Sequence, residues 1–282
     1  MKKLFIRAKP VAKLRDDMMN RGLVRPHLNP DDYPYKELKQ IARKFNELTI
    51  ESRETSLLRR DFFANASHEL KTPVTAIKGS AELLCADVPL NEDQQKELLH
   101  RIEIEAERLH SLIDDILMIN RLESGETAGE KENLNITQLI HSCIDELKTQ
   151  IEQNELRLDI SIESVTLRAN RKNVYEMFSN LIVNAVNYTR QSGRVDIHLS
   201  SNFDEILFSI RNDGEPIPAG HQSRMFERFY RLDSGRSKAV GGTGLGLSIV
   251  KHAVESLGGT VQLESDEKIG VLFTVTIPHQ TT

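Results

Sequence analysis

Between Tyr35 and Thr72 the chain contains neither glycine nor proline, and its apolar residues recur at helical intervals. Ile41, Phe45 and Leu48 follow one another at +4 and +3, the spacing of a coiled-coil seam. The stretch admits one helix of about 57 Å at 1.5 Å per residue, beginning after Pro34 and first interrupted at Pro73. A second breaker-free stretch, Asn91 to Ser124, opens with Asn91 and Gln94 in capping-box spacing. Along it Leu98, Ile102, Leu109, Leu112, Ile116 and Ile119 form one apolar stripe. The segment CADVPLN, 85–91, reads as the turn between two antiparallel helices. Their stripes need a partner, and a four-helix bundle built from two chains supplies it.

Past the polar, glycine-containing segment 123–133 the pattern changes. LRLDISI (156–162) alternates, as do Val195, Ile197 and Leu199; ILFSI (206–210), TVQLES (260–265) and VLFTVTI (271–277) also read as strands. Helical periodicity falls near 137–152, 171–189 and 244–257. The expected fold is α+β and multidomain: a dimeric helical hairpin, then an α/β sandwich whose sheet is covered by helices on one face.

The 282 residues suit two or three domains. Charged residues make up 28% and aromatic residues 5%, with no tryptophan, which favours long helices over a large β-sandwich. A net charge of −5 argues against a general nucleic-acid binder. Residues 1–30 nevertheless carry eight Lys/Arg against two Asp, a balance of +6, which reads as a solvated face beside a membrane or partner. No apolar run reaches the roughly 18 to 20 residues that span a bilayer, and MKKLFIRAKP lacks the apolar core of a signal peptide. Cys85 and Cys143 have no metal-ligand spacing and form no disulfide framework, as expected in a reducing cytosol.

The stretch DFFANASHELKTP, 61–73, concentrates chemistry on the first long helix. A zincin would need a second histidine four residues after His68, where Thr72 stands. A glutamate accepting the Nδ1 proton would leave Nε2 of His68 nucleophilic. Pro73 removes an N–H from the helix ladder one turn later and would loosen it there. GGTGLGLSIV, 241–250, is a glycine-rich turn opening a helix, an arrangement that suits phosphate. It is no P-loop, because no Lys-Ser/Thr follows the last glycine. Asn180, Asn184 and Asn187 share one helix, and their side-chain carbonyls suit Mg²⁺ held together with phosphate oxygens. RNDGEPIP, 211–218, offers a carboxamide and a carboxylate at a tight turn after a strand, suited to a base edge.

In order and spacing these segments resemble the bacterial sensor histidine kinases of two-component systems. ASHELKTP is similar to their phosphoacceptor box and NLIVNAVNYT (180–189) to the N box. NDGEPIP resembles the first glycine box, MFERFYR (225–231) the F box and GGTGLGLSIVK the second glycine box. The resemblance runs from about Ser56 to Pro278 and implies an ATP-binding domain of the GHKL type. Pro10, Leu14, Glu37, Ile41 and Phe45–Asn46 resemble a HAMP signal-relay module.

Carried over position by position, the resemblance makes His68 the phosphoacceptor, Glu69 its general base and Thr72 the residue that orients water when a response regulator is dephosphorylated. It gives Asn184 a role as Mg²⁺ ligand, with Asn180 beside it and Tyr188 near the nucleotide. Gly242, Thr243, Gly244, Leu245 and Gly246 would cradle the phosphates of ATP, with Arg236 and Lys238 in the lid neutralising them. Asn212, Asp213 and Gly214 would meet the base. Two positions depart from the family pattern: Asn212 stands where an Asp usually contacts the adenine amino group, and Asn187 where a Lys or Arg is frequent. The implied organisation is a HAMP-like segment (1–54), a dimerisation and phosphotransfer hairpin (55–124), a linker (125–133) and a catalytic domain (134–282). The implied partners are a second copy, a response-regulator receiver domain and a membrane-proximal sensor, in the cytoplasm near the inner face of the membrane. The competing reading is a kinase-poor adaptor or phosphatase-biased dimer.

Overall fold

The computed structural model describes residues 2–21, 28–86, 89–123, 131–232 and 242–279. Two compact units divide the chain, Met1–Ser67 and His68–Thr282.

In the first unit, helix α1 (Lys2–Arg21) and a 3-10 turn (Pro30–Asp32) precede the long helix α2 (Lys36–Cys85). Leu14, Leu28, Tyr33, Leu38 and Ala42 form a small buried core. Asn46 closes it from within: its Oδ1 accepts from the Leu28 N–H and its Nδ2 donates to the Leu28 carbonyl, both at 2.7 Å. Tyr33 reaches back to α1, its hydroxyl 3.0 Å from Asp17. Ile41 and Leu48, two of the three expected seam residues, remain exposed.

Helix α2 does not end at the expected interruption. It passes through Pro73 and runs for 50 residues, about 75 Å. Proline removes a single N–H, and the helix continues because Pro73 is buried and residues beyond it keep helical spacing. The carbonyl that loses its donor is that of Glu69; beside it Thr72 Oγ1 donates to the His68 carbonyl (3.3 Å) and Thr75 Oγ1 to that of Lys71 (2.8 Å). Helix α3 (Glu92–Glu123) starts at the anticipated capping box: Asn91 Oδ1 accepts from Gln94 N–H at 2.8 Å, and Gln94 Oε1 from Asn91 N–H at 3.1 Å.

The remainder of the second unit is built on a five-stranded sheet. In chain order the elements are β1 (Glu132–Asn135), α4 (Ile136–Glu146), α5 (Lys148–Gln153), β2 (Arg157–Ile162), β3 (Thr166–Ala169) and α6 (Arg171–Tyr188). They are followed by β4 (Arg194–Ser201), β5 (Glu205–Asn212), α7 (Ala219–Gln222), α8 (Gly246–Ser256), β6 (Thr260–Asp266) and β7 (Gly270–Pro278). Strand order is β2-β4-β5-β7-β6, parallel at β2–β4 and antiparallel elsewhere. Val195, Ile197 and Leu199 of β4, Ile206, Phe208 and Ile210 of β5, and Val271, Phe273, Val275 and Ile277 of β7 enter one core with α4, α6 and α8. That core is the reason for the period-two pattern along these strands. Their alternate residues stay polar; Asp196 lies opposite Arg211 on the outer face and pairs with it.

Two features were not legible beforehand. The expected helix 137–152 is split at Leu147 into α4 and α5. Strands β1 and β3 pair antiparallel in a separate two-stranded sheet, and β1 begins inside the expected linker. The sequence ENLN carries no clear alternation, so partner geometry rather than local pattern makes it a strand.

Candidate functional site

His68 is exposed on α2 and lines an open groove of about 830 Å³, with Lys71, Thr72, Ser80 and Leu83 on the same helix and Arg101 from α3. The two cations make the surroundings of the imidazole favourable to an anionic reactant. Glu69 is turned away from the ring. Adjacent helix residues do not face each other, and its carboxylate lies 3.8 Å from the Arg108 guanidinium on α3, with both side chains partly buried.

The second group of residues gathers where α6, β5 and α8 meet. Asn170 caps α6 by accepting from the Asn173 N–H at 3.1 Å, and successive turns then place Asn180, Asn184 and Asn187 along the helix. Asn180 Nδ2 donates to the Glu176 carbonyl at 2.9 Å. Its Oδ1 lies where a side chain at Gly246 would be: a Cβ there would sit 2.4 Å from it. The N-box helix and the start of α8 are thus in contact at Gly246, where any Cβ would displace the Asn180 amide. Asn184 is half-buried one turn on. Asn187 accepts a hydrogen bond from Gln150 on α5, so its amide is engaged with the neighbouring helix. Tyr188 is exposed at the end of α6, and its carbonyl would be 2.4 Å from a Cβ at Gly214.

The turn after β5 is tightly held. Asp213 Oδ2 accepts from the Arg194 N–H at 3.0 Å, and its Oδ1 lies against Gly193. The Asp213 carboxylate thereby clamps the turn preceding β4. Asn212 is buried at 1% exposure, and its Nδ2 has no hydrogen-bond partner among the described residues.

In the glycine-rich turn, Gly242 is exposed with open space around it, and Gly244 adopts φ +73°, a conformation that favours glycine. The Gly244 carbonyl accepts from the Phe229 N–H at 2.8 Å, tying the turn to the F-box segment. Leu245 is buried and anchors the start of α8. The turn is also fastened to α3: Thr243 Oγ1 donates to Asp115 Oδ2 at 2.7 Å and accepts from the Leu245 N–H at 3.2 Å. Arg228 pairs with Glu123 at the end of α3, and His252 of α8 approaches the same carboxylate. Burial is the main cause that pushes the Asp115 carboxyl up to about 6; Thr243 opposes it, and Glu176 and Asp114 add to it. Burial, then the nearby Arg228 charge, lowers the pKa of His252.

Sequence reasoning missed Asp115, Arg108, Glu123, Arg228 and His252 as parts of these contacts. The one available signal was Asp115 itself, an acid set between Leu112 and Ile116 of an apolar stripe. Arg236 and Lys238 lie outside the described residues.

Known proteins are similar to this chain in sequence and in fold. A family model described as "His Kinase A (phospho-acceptor) domain" matches residues 58–125. One described as "Histidine kinase-, DNA gyrase B-, and HSP90-like ATPase" matches residues 169–281. The circadian input-output histidine kinase CikA of Synechococcus elongatus is 34% identical over 227 residues, covering 78% of this chain and 30% of CikA. Sensor histidine kinase RppB of Synechocystis is 34% identical over 221 residues, covering 78% of this chain and 49% of RppB. Sensor histidine kinase WalK of Bacillus subtilis is 31% identical over 225 residues, covering 79% of this chain and 37% of WalK. The chain therefore spans less than half the length of these three relatives. Among solved structures, Acinetobacter baumannii histidine kinase AdeS superposes with a TM-score of 0.61 at 22% identity, covering 76% of this chain and 98% of AdeS. Histidine kinase ThkA, solved in complex with response regulator protein TrrA, gives 0.63 at 22% identity, covering 81% of this chain and 64% of ThkA. These two likenesses concern the fold.

Proposed function

Because the chain belongs to the histidine kinases, we propose that it phosphorylates itself on His68 from ATP and passes the phosphoryl group to an aspartate of a response regulator. The observation that carries this reading is the union, in one chain, of an exposed histidine in a phosphoacceptor-type domain with an intact glycine-rich turn in an ATPase-type domain.

The chemistry follows from the side chains. Nε2 of His68 attacks the γ-phosphorus, a P–N bond forms, and the bond from phosphorus to the β,γ-bridging oxygen breaks as ADP leaves. Glu69 takes the Nδ1 proton, which requires its carboxylate to leave Arg108. The phosphoryl group then moves to a receiver aspartate, and Thr72 orients water when that partner is dephosphorylated. Lys71 and Arg101 supply positive charge beside the acceptor, where positioning and charge stabilisation dominate phosphoryl transfer.

In the nucleotide site the first-turn N–H groups of α8 and the turn Gly242–Gly246 hold the phosphates. Asn180 and Tyr188 border the site, with Gly214 packed closely between the Tyr188 carbonyl and the Asn212 amide. The buried, unpartnered amide of Asn212 fits a base edge, and Asn184 offers a carbonyl oxygen of the kind Mg²⁺ takes together with phosphate oxygens. The ion would neutralise phosphate charge. Among the described residues no cluster of three or more His, Cys, Asp or Glu is placed to hold a metal ion.

We assign residues 1–54 to a HAMP-like relay, 55–124 to the dimerisation hairpin, 125–133 to a linker and 134–282 to the catalytic domain. The exposed Ile41, Leu48, Val74, Leu83 and Leu99 support a second copy as partner of α2 and α3. No described helix is long and apolar enough to cross a membrane; we place this part of the protein in the cytoplasm, receiving its signal from a membrane-proximal sensor. One observation favours a phosphatase-biased dimer as the second reading, namely that Glu69 is paired with Arg108 instead of His68.

The test is incubation with Mg²⁺ and γ-labelled ATP beside His68→Gln. Acid-labile, alkali-stable label on the parent alone is the expected result. Label that persists on His68→Gln, or a parent that binds ATP and stays unlabelled, refutes it.

A further inference from the structure

Asn212 closes β5 at 1% exposure with its Nδ2 unpartnered among the described residues. Buried amide donors are nearly always paired, so an unpaired one asks for a reason. Neighbouring residues do not supply a partner. Asp213 Oδ2 is committed to the Arg194 N–H and its Oδ1 packs on Gly193. On the other side, a Cβ at Gly214 would stand 2.6 Å from Nδ2 and 2.4 Å from the Tyr188 carbonyl. Glycine at 214 therefore lets the turn pack directly against this amide and the end of α6.

We propose that Asn212 reads the Watson–Crick edge of a purine in either of two amide orientations, so that the nucleotide site accepts 6-oxopurine nucleotides as well as ATP. This rests on the nucleotide reading above. A carboxamide carries a donor and an acceptor side by side. Adenine shows the matching pair, a donor at N6 and an acceptor at N1. Hypoxanthine reverses it, with an acceptor at O6 and a donor at N1–H. A half-turn about the last side-chain torsion of Asn212 exchanges Oδ1 with Nδ2 and converts one match into the other. No described group hydrogen-bonds to its Nδ2 in the orientation seen. A carboxylate at this position would have acceptors only and would repel O6. Asn212 is thereby a specificity-determining residue for the base.

The test is displacement of a fluorescent ADP analogue from the full chain by ATP and by ITP, in Mg²⁺, for the parent and for Asn212→Asp. Inosine isolates position 6, since it lacks the 2-amino group of guanine. The parent is expected to bind ITP within about tenfold of ATP, and Asn212→Asp to move that ratio toward ATP by about tenfold or more. A parent that binds ATP but takes ITP more than about a hundredfold less tightly overturns the proposal alone. An unchanged ratio in a folded Asn212→Asp removes the role given to Asn212. Failure to bind ATP at all overturns the nucleotide reading and this proposal with it. Should Asn212→Asp not fold, the parent's ratio decides by itself.

Discussion

Replacing Asp115 by Asn should make the protein more stable at neutral pH and remove one component of its pH dependence. Asp115 is an acid placed in a largely apolar contact, where Leu112, Met118 and Ile119 are buried on the same helix. Burial and the neighbouring Glu176 and Asp114 raise its carboxyl to about 6 from 3.8, against the hydrogen bond from Thr243. The folded state thus holds the proton more tightly than the unfolded chain. Below about pH 4 both states are protonated and the full stability is present. As pH rises through about 6 the unfolded chain has already ionised and the folded state must follow, which costs about 3 kcal/mol at 1.36 kcal/mol per pKa unit. His252 acts in the opposite sense, because a lowered imidazole pKa gives stability present at high pH and lost as pH falls through the folded value. The parent profile is therefore a sum, and the difference between variant and parent isolates Asp115. In the Asp115→Asn variant the new side-chain carbonyl can still accept from Thr243 without carrying charge. With no tryptophan in the chain, urea unfolding would be followed by circular dichroism at several pH values. The variant should match the parent near pH 4 and exceed it by about 2–3 kcal/mol at pH 7.5. A difference that stays flat across this range, or a variant less stable at pH 7.5, would refute the reasoning.

Gly246→Ala should lower thermal stability by about 1–3 kcal/mol and weaken ADP binding, since its Cβ would stand 2.4 Å from Asn180 Oδ1; unaltered melting and titration curves would show that the contact yields freely. Asn46→Ala removes both hydrogen bonds to Leu28 from a buried position, leaving a backbone N–H and C=O unpaired. The first unit should lose about 2–4 kcal/mol, read as lost hydrogen-exchange protection at the Leu28 amide, and retained protection would count against it.

The elements whose burial is periodic were legible in the sequence, because a face buried against one core leaves its period in the residues. Val195, Ile197 and Leu199 alternate for that reason, and the capping box at Asn91 is visible because both partners lie within four residues. The break at Leu147 and the strand at 132–135 left no such period; they depend on which neighbour the backbone meets. Pro73 misleads locally, since the loss of one N–H is outweighed by a helix of 50 residues. The site was legible as a set of residue types and not as a set of contacts. His68, Asn180 and the glycines announce themselves by motif, whereas the ion pair of Glu69 with Arg108 joins residues on two helices.

Thr243 shows the consequence for function most directly. Its partner Asp115 lies 128 residues away in sequence, and neither position carries any local mark of the other. A threonine has one hydroxyl proton, and here it goes to a carboxylate on α3 while the same oxygen accepts the Leu245 N–H. The turn that suits phosphate is therefore also the turn that fastens this domain to α3. A phosphate oxygen taking that proton would have to displace Asp115, and an ionised Asp115 resists displacement more than a protonated one because it is the stronger acceptor. The raised carboxyl of Asp115 places this change of acceptor strength near pH 6, and one side-chain hydroxyl ties the glycine-rich turn to α3.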